Sequence, residues 1–214
     1  PFDGMNYRAL LDGLSEDPYI EPVDLARKMV ADYAEWYSAP LGTYPTLYPY
    51  LQDFATLSVI DLALIGDVGD AFAALSAELL PKDPTLGKIM KDASMDAFVT
   101  TWCNNMGCGF YSDIVTMFGA VAEEVRQSHP AVAVACDDLV LATQAAIVDS
   151  WASWRFREVP NGLSVFVCPS IGMFDVNWDT LGRTYDSIGL DFVDDSSWDE
   201  VLGSYFCTLK QYGL

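Results

Sequence analysis

Residues 55–84 read ATLSVIDLALIGDVGDAFAALSAELLPKDP, and their order of patterns predicts the fold class. The stretch opens with a short β-prone run, and the apolar residues that follow recur at helical spacing. Ser58 or Asp61 is predicted to cap that helix, because their side chains accept hydrogen bonds from the first free backbone N–H groups. Pro81 is predicted to end it, since proline cannot continue a helix. The stretch therefore predicts a strand followed by a helix.

Residues 109–130 read GFYSDIVTMFGAVAEEVRQSHP and repeat the same order of patterns. An aromatic run comes first, Ser112 or Asp113 is the predicted cap, and an apolar helix then runs to a stop at His129-Pro130. Strand and helix patterns that follow one another along the chain favour an α/β fold.

The rest of the chain predicts several more helices and one more strand. Residues 21–38 predict a helix that starts near Pro22. Its inward face is predicted to carry Leu25, Met29, Val30, Tyr33, Trp36 and Tyr37. Residues 84–102 and 131–154 predict further helix, and residues 161–170, NGLSVFVCPS, predict a strand buried on both faces. A last helix is predicted after Ser196 or Ser197, with Trp198, Val201, Leu202 and Tyr205 facing inward.

The composition predicts a single domain over residues 1–214, either complete or a fragment of a larger one. Hydrophobic residues make up 51% and charged residues 20%, which is typical of globular chains and not of disordered ones. The 31 acidic against 11 basic residues give a formal charge of -20, which repels nucleic acid and anionic membranes. Such a charge commonly serves solubility, and attraction of basic peptides is the alternative. No apolar run approaches the roughly 20 residues that a membrane helix needs. Neither nucleic acid nor a membrane is therefore an expected partner.

The chain has five cysteines, and an odd number leaves at least one of them unpaired within the chain. Cys103 and Cys108 stand five positions apart in WCNNMGCG, which is wider than the spacing of most zinc knuckles. A structural metal and a local disulfide remain alternatives for this pair, and ordinary buried or half-buried thiols are the favoured interpretation.

His129 is the one histidine of the chain, so any serine or cysteine nucleophile would depend on it for a base. It stands beside Pro130 at the end of a predicted helix, where a histidine commonly satisfies terminal carbonyl groups. The sequence therefore predicts that the chain alone is a poor hydrolase.

No cofactor is expected, and a bound calcium ion is the alternative. In DVNWDTLG, Asp175, Asn177 and Asp179 reproduce the alternating oxygen ligands that begin a calcium loop. The match fails at Thr180, where a glycine is required, and at Asp186, which is too short to replace the closing glutamate. A solvated loop is the favoured interpretation. The carboxylates of DFVDDSSWDE are expected to complement the positive end of a helix.

The order of several segments resembles the C-terminal part of the clostripain family of cysteine peptidases. These segments are PFDGMNY, DGLSEDPYIEPVDLARKMVADYAEWY, TLSVIDLALIGDVGDAFAALSAEL, FYSDIVTMFGAV, NGLSVFVCP and SSWDEVLGSY. They span nearly the whole chain and occur in the family's order. The chain departs from the family at Met5-Asn6, where Trp-Asp is usual, and in an additional loop over residues 170–194.

The resemblance implies an α/β, caspase-like fold whose C-terminal portion contributes several helices packed on part of a mostly parallel sheet. It also implies that the His-Gly-Gly segment and the Asp-Ala-Cys-Leu-Met segment lie upstream of Pro1, so this chain carries no assigned catalytic residue and Pro1 is expected to mark a truncation. By resemblance, Asp3 borders the primary specificity pocket, where its carboxylate would pair with the Arg or Lys before the cleaved bond. The alternative for Asp3 is a simple turn residue before Gly4.

The expected function is thus that of a scaffold portion of a secreted or cell-surface cysteine endopeptidase that cleaves after basic residues. Its expected partners are basic peptide or protein substrates and the N-terminal portion with the catalytic dyad. One alternative is a non-catalytic extracellular binding or structural module, in which six Trp and 11 Tyr provide an aromatic platform. These aromatic residues also fit the inward helix faces. Calcium-stabilised adhesion through DVNWD is the remaining alternative.

Overall fold

The computed structural model describes residues 7–40, 55–80, 83–104, 107–153, 161–167 and 191–206. For residues 98–104 and 107–110 the description covers the backbone. The helices are α1 (Tyr7–Glu16), α2 (Pro22–Ser38), α3 (Ile65–Leu79), α4 (Pro84–Asp96), α5 (Ile114–Val125), α6 (Pro130–Ala146), α7 (Asp191–Ser196) and α8 (Trp198–Val201), which continues as a π-helical turn over Leu202–Phe206. The strands are β1 (Thr56–Ile60), β2 (Phe98–Asn104), β3 (Gly107–Asp113), β4 (Ile147–Ala152) and β5 (Ser164–Val167).

The chain divides into two compact units, each with its own packing. Unit 1 comprises Pro1–Asp61 and Ile147–Gly162, and unit 2 comprises Leu62–Ala146 and Leu163–Leu214. The described part of unit 1 holds α1, α2, β1 and β4, and that of unit 2 holds the other elements.

In unit 1, α2 packs on an antiparallel pair formed by β1 and β4. Helix α2 starts with proline at its first turn, where the missing N–H is not needed, as the sequence predicts. Its predicted inward face is confirmed: Val30 and Tyr37 are buried, and the other four predicted residues are half-buried. Tyr33 lies in edge-to-face contact with Trp151 of β4 at 5.8 Å between ring centroids. Aromatic side chains thus fix the helix on the sheet.

Unit 2 is built around four helices, of which α6 packs against both α3 and α5, while α4 packs against α5. The apolar spacing of each helix predicts which residues form this core. Its largest fully buried side chains are Trp198, Phe72, Phe118, Leu75, Leu79, Leu86, Met90, Met117, Leu139, Leu202 and Val121. The predicted inward face of the last helix is confirmed, since Trp198, Val201, Leu202 and Tyr205 are all buried.

The sheets of the described residues are antiparallel, so the predicted mostly parallel sheet of an α/β, caspase-like fold is wrong. β1 pairs with β4, and in unit 2 β3 pairs with β2 on one side and β5 on the other. Only residues 105 and 106 separate β2 from β3, and a parallel pair would need a crossover of about a dozen residues or more. The short connection therefore makes β2 and β3 an antiparallel hairpin, and much of the described chain is helical.

Two segments predicted as helix contain strands. Helix α4 ends at Asp96, and residues 98–104 form β2 instead of continuing the helix. Likewise α6 ends at Ala146, and residues 147–152 form β4. A strand is confirmed within residues 161–170 as β5, in which Val165 and Val167 are buried. The prediction that both of its faces are buried is wrong at Ser164, which is exposed.

The predicted helix caps are confirmed in part. The Asp113 carboxylate accepts a hydrogen bond from the Thr116 N–H at 2.8 Å and caps α5. Neither Ser58 nor Asp61 caps α3, whose N-cap position is Leu64. Ser58 instead donates to the carbonyl of Gly162 at 2.7 Å, which ties β1 to the end of unit 1. A hydroxyl in a strand is thus used for a tertiary contact.

Candidate functional site

Four residues of unit 2 are joined by hydrogen bonds that involve their side chains or the backbone of Asp83, and we call them the His129 cluster: Asp83, Ser128, His129 and Tyr205. Asp83 directly precedes α4, and Ser128 and His129 lie between α5 and α6. Tyr205 belongs to the π-helical turn after α8. Helix ends leave backbone groups without partners inside the helix, so polar side chains gather there.

His129 joins two partners of the cluster. Its Nε2 lies 2.9 Å from Oδ2 of Asp83, and its Nδ1 lies 2.9 Å from the hydroxyl oxygen of Ser128. An ionised carboxylate only accepts hydrogen bonds, so we assign the proton of the neutral ring to Nε2. Nδ1 then accepts from Ser128, whose hydroxyl also has the Val125 carbonyl oxygen within 3.4 Å.

Asp83 is held in place by the start of α4. Its Oδ1 accepts hydrogen bonds from both the N–H and the hydroxyl of Thr85, each at 2.8 Å. The hydrogen bond from His129, followed by those from Thr85, lowers the pKa of Asp83 from 3.8 to about 2. The carboxylate therefore stays ionised in all but strongly acidic solution.

Tyr205 links the end of α3 to the start of α4. Its hydroxyl donates to the carbonyl oxygen of Leu79 and accepts from the N–H of Asp83 at 3.3 Å. Burial raises the pKa of Tyr205, so the phenol remains protonated and able to donate. The last described element of the chain thus fastens two helices that are distant from it in sequence.

The order of hydrogen bonds from Ser128 through His129 to Asp83 is the order found in serine hydrolases. Here, however, the carboxylate already caps α4, and Ser128 and His129 are adjacent in sequence, Ser128 exposed and His129 half-buried. We therefore interpret the cluster as a set of hydrogen bonds that link helix ends, and not as a catalytic triad.

Sequence reasoning placed His129 at a helix end but missed its partner. The prediction is that His129 satisfies a carbonyl group at the end of the helix. Its backbone N–H does so, since it donates to the Val125 carbonyl at 2.7 Å. Its ring instead forms a hydrogen bond with Asp83. The Asp83-Pro84 dipeptide carries the signal for an N-cap followed by proline. The partnership with a histidine 46 positions away follows only from the tertiary packing.

Cys136 is the cysteine whose side chain is described, and it is fully buried in α6. Burial first, and the nearby Asp137 second, raise the pKa of its thiol to about 12. The thiolate is the nucleophilic form of cysteine, so this thiol is inert at neutral pH. The pairing of β2 and β3 sets Cys103 opposite Cys108, whereas Cys168 and Cys207 lie outside the described residues.

The predicted substrate-binding residue and the alternative calcium loop fall outside the described part of the chain. These are Asp3 and the loop residues Asp175, Asn177, Asp179, Thr180 and Asp186. Among the residues that the structure describes, no group of three or more His, Cys, Asp or Glu side chains is arranged to hold a metal ion.

No helix in the described ranges is both long enough and apolar enough to cross a membrane.

Three aromatic side chains of unit 2 pack together in its core. Phe72, Phe118 and Trp198 are each at most 1% exposed and meet one another edge to face, with ring centroids 5.4 to 5.8 Å apart. In unit 1, Tyr33 and Trp151 are half-buried, and burial together with the neighbouring Tyr37 raises the pKa of Tyr33. The partly exposed rings of unit 1 are thus the better candidates for contact with another molecule.

Comparisons of the chain with protein-family models, with curated proteins and with solved structures each found no match.

Proposed function

We propose that this chain is a scaffold portion of a cysteine endopeptidase that cleaves after Arg or Lys, with the catalytic His and Cys upstream of Pro1. The proposal is carried by the order of the segments that resemble the clostripain family. Four of these segments contribute β1, the junction of β3 with α5, the strand β5 and the helix α8. Strands, helix caps and buried anchors are scaffold features, not reacting groups.

The segment FYSDIV illustrates this scaffold role. The hydroxyl of Ser112 donates to the carbonyl of Ser94 at 2.8 Å, and the carboxylate of Asp113 caps α5. Both side chains are buried, at 1% and 0% exposure. A buried polar group that lacks a partner costs about 1 to 3 kcal/mol, so these contacts hold the sheet and the helix in one arrangement.

Cys136 does not have the properties of a catalytic cysteine. A nucleophilic cysteine needs a lowered pKa and access to the substrate, whereas the Cys136 thiol has a raised pKa of about 12 and is 0% exposed. The thiolate that attacks the peptide carbonyl would then come from the upstream portion, which is the partner that we propose for this chain.

The charge of the chain suits the proposed substrates. Its formal charge of -20 favours the approach of peptides rich in Arg or Lys. In the described residues, Lys28, Lys88 and Arg126 each pair with an aspartate, which leaves the acidic excess to dominate the field. We assign Asp3 to the wall of the specificity pocket, and secretion or display at the cell surface follows from the same family resemblance.

Hydrolysis of an arginyl p-nitroanilide tests the proposal. We expect the chain alone to be inactive and the chain joined to its upstream segment to release p-nitroaniline. A matched variant, Cys136→Ser in the joined protein, should keep the activity, because the Cys136 thiol is not the proposed nucleophile. Turnover by the chain alone that is abolished by alkylation of one of its own cysteines would overturn the proposal.

A non-catalytic binding module is the second candidate, and the exposed side chains of unit 1 favour it. Tyr19 is 90% exposed, and Tyr7 and Leu11 of α1 are 64% and 62% exposed. Exposed aromatic rings are common in surfaces that bind other molecules. Under this alternative, the chain joined to its upstream segment is also inactive on the arginyl substrate, which separates the two candidates.

A further inference from the structure

The hairpin of β2 and β3 places two cysteines in register. Cys103 is the partner of Cys108, and the next pair toward the turn is Asn104 with Gly107. Residues 105 and 106 alone connect these two positions. Two of the five cysteines of the chain therefore occupy directly opposed positions of one antiparallel pair.

This register satisfies the backbone requirement of a disulfide. Opposed residues of an antiparallel pair have Cα atoms about 4.5 or 5.5 Å apart, depending on the type of pair. Both separations lie within the range of about 4.4 to 6.8 Å that disulfides span. Opposed residues also belong to the same face of the sheet, because side chains alternate between faces along each strand.

The base of the hairpin is anchored, which fixes the register at its tip. The N–H of Asp113 donates to the carbonyl of Ala97 at 2.8 Å, and β5 pairs along the other edge of β3. The irregularity in the pairing lies between Phe98 and Thr100, at the base. From Thr100 to the turn the pairs follow one another without a shift.

We propose that Cys103 and Cys108 form a cross-strand disulfide when the chain meets a small disulfide oxidant such as oxidised glutathione. One thiolate attacks the oxidant, forms a mixed disulfide and releases one reduced glutathione. The second thiolate then attacks the protein sulfur, closes the Cys103–Cys108 bond and releases a second reduced glutathione. Two cysteine thiols are oxidised, one glutathione disulfide is reduced, and the two thiol protons pass to the solvent and then to the released thiolates.

Cys136 is excluded from the proposed disulfide because it is buried in a helix, whereas Cys103 and Cys108 are opposed in the hairpin. Cys136 lies fully buried in α6, and its raised pKa keeps it in the thiol form that does not exchange. The bond between Cys103 and Cys108 closes the tip of a hairpin whose other end leads directly into α5. Oxidation therefore adds a covalent link between β2 and β3.

Refolding of the full chain from denaturant in a glutathione redox buffer tests this proposal. The refolded protein is alkylated, digested and mapped by mass spectrometry before and after reduction. We expect the single peptide that contains both Cys103 and Cys108 to lack two hydrogen atoms, and both cysteines to accept the alkylating reagent only after reduction. Circular dichroism of the same samples shows whether the chain has folded.

A variant that moves one thiol by a single position is the matched control. Cys108→Ser combined with Gly109→Cys places the new thiol opposite Trp102 and on the other face of the sheet. This variant should leave Cys103 as a mixed disulfide with glutathione. An equal yield of the internal disulfide in this variant, reduced Cys103 and Cys108 in the folded parent, or either cysteine joined to another position would each overturn the proposal.

Discussion

Replacement of Trp198 tests how unit 2 is held together. The indole is 0% exposed and meets the rings of Phe72 at 5.4 Å and Phe118 at 5.8 Å between centroids. Trp198→Ala removes the burial of this ring and leaves a cavity between the two phenylalanines. Substitutions of this kind cost about 3 to 5 kcal/mol. A domain is stable by only about 5 to 15 kcal/mol, so we expect the loss of a large part of the stability.

Urea denaturation followed by circular dichroism measures this loss. Trp198→Phe keeps one aromatic ring in the site, and we expect it to cost less than the alanine variant. Leu141→Ala is the matched surface control, because Leu141 is 63% exposed on α6, and we expect a change within about 0.5 kcal/mol. If the free energy of unfolding of Trp198→Ala lies within about 1 kcal/mol of the parent's, the indole does not anchor the core and the reasoning fails.

Four further variants test the His129 cluster, two glycine positions and the proposed specificity pocket. Because folding lowers the pKa of Asp83 from 3.8 to about 2, its ionised form stabilises the fold above the ordinary pKa, and this contribution is lost as the pH falls through about 2. The excess stability of the parent over Asp83→Asn should therefore shrink in thermal melts recorded from about pH 5 down to about pH 2; a pH-independent difference would contradict the assignment. Gly162 has a φ of 135°, and an added Cβ would lie 3.1 Å from the Ile147 side chain, so Gly162→Ala should destabilise by about 1 to 3 kcal/mol in urea. Gly69→Ala in α3, where an added Cβ meets nothing within 4 Å, should instead raise the free energy of unfolding by about 0.5 to 1 kcal/mol. If both glycine variants change the free energy of unfolding in the same direction, the argument is refuted. If the chain is part of the proposed peptidase, Asp3→Ala in the protein that includes the proposed upstream segment should lower kcat/KM on the arginyl substrate more than tenfold, since a charge-assisted pair contributes about 1.5 to 3 kcal/mol. Unchanged kinetics would remove Asp3 from the proposed pocket.

Local patterns were sufficient to predict α2, the last helix and part of their packing, but not α7, which overlaps the loop predicted over residues 170–194. The period of about 3.6 residues in α2 identified its inward face, from Leu25 to Tyr37, because one stripe of an amphipathic helix must be buried. The same argument identified Trp198 and its neighbours in the last helix as core residues. The Asp113 cap could also be predicted, since it depends on a donor only three residues away.

The pairing of strands could not be predicted in the same way, because it depends on residues that are distant in sequence. β4 follows α6 without a break, and its strand state is stabilised by β1, where Thr56 pairs with Ala152 and Val59 with Asp149. β2 follows α4 after one residue and is stabilised by β3. Tertiary partners thus override the helical continuation that local propensity favours.

The candidate site shows the same limit of sequence reasoning. His129 could be recognised as the one histidine at a helix end, and Asp83 carries the pattern of an N-cap. The hydrogen bond between His129 and Asp83 depends on how the helices pack, and so does the link from Tyr205 to α3 and α4. Sequence patterns do not predict that packing. The resemblance to a peptidase family implied a parallel sheet, and the antiparallel register of the described strands corrects it.

Covalent labelling is the most direct test of the proposed scaffold role. An arginyl chloromethyl ketone alkylates the nucleophilic cysteine of a peptidase that cleaves after arginine, and peptide mapping identifies the labelled position. In the chain joined to its upstream segment, we expect one label on an upstream cysteine and none on the five cysteines of this chain. A label on any of these five cysteines that tracks the loss of activity would contradict the account.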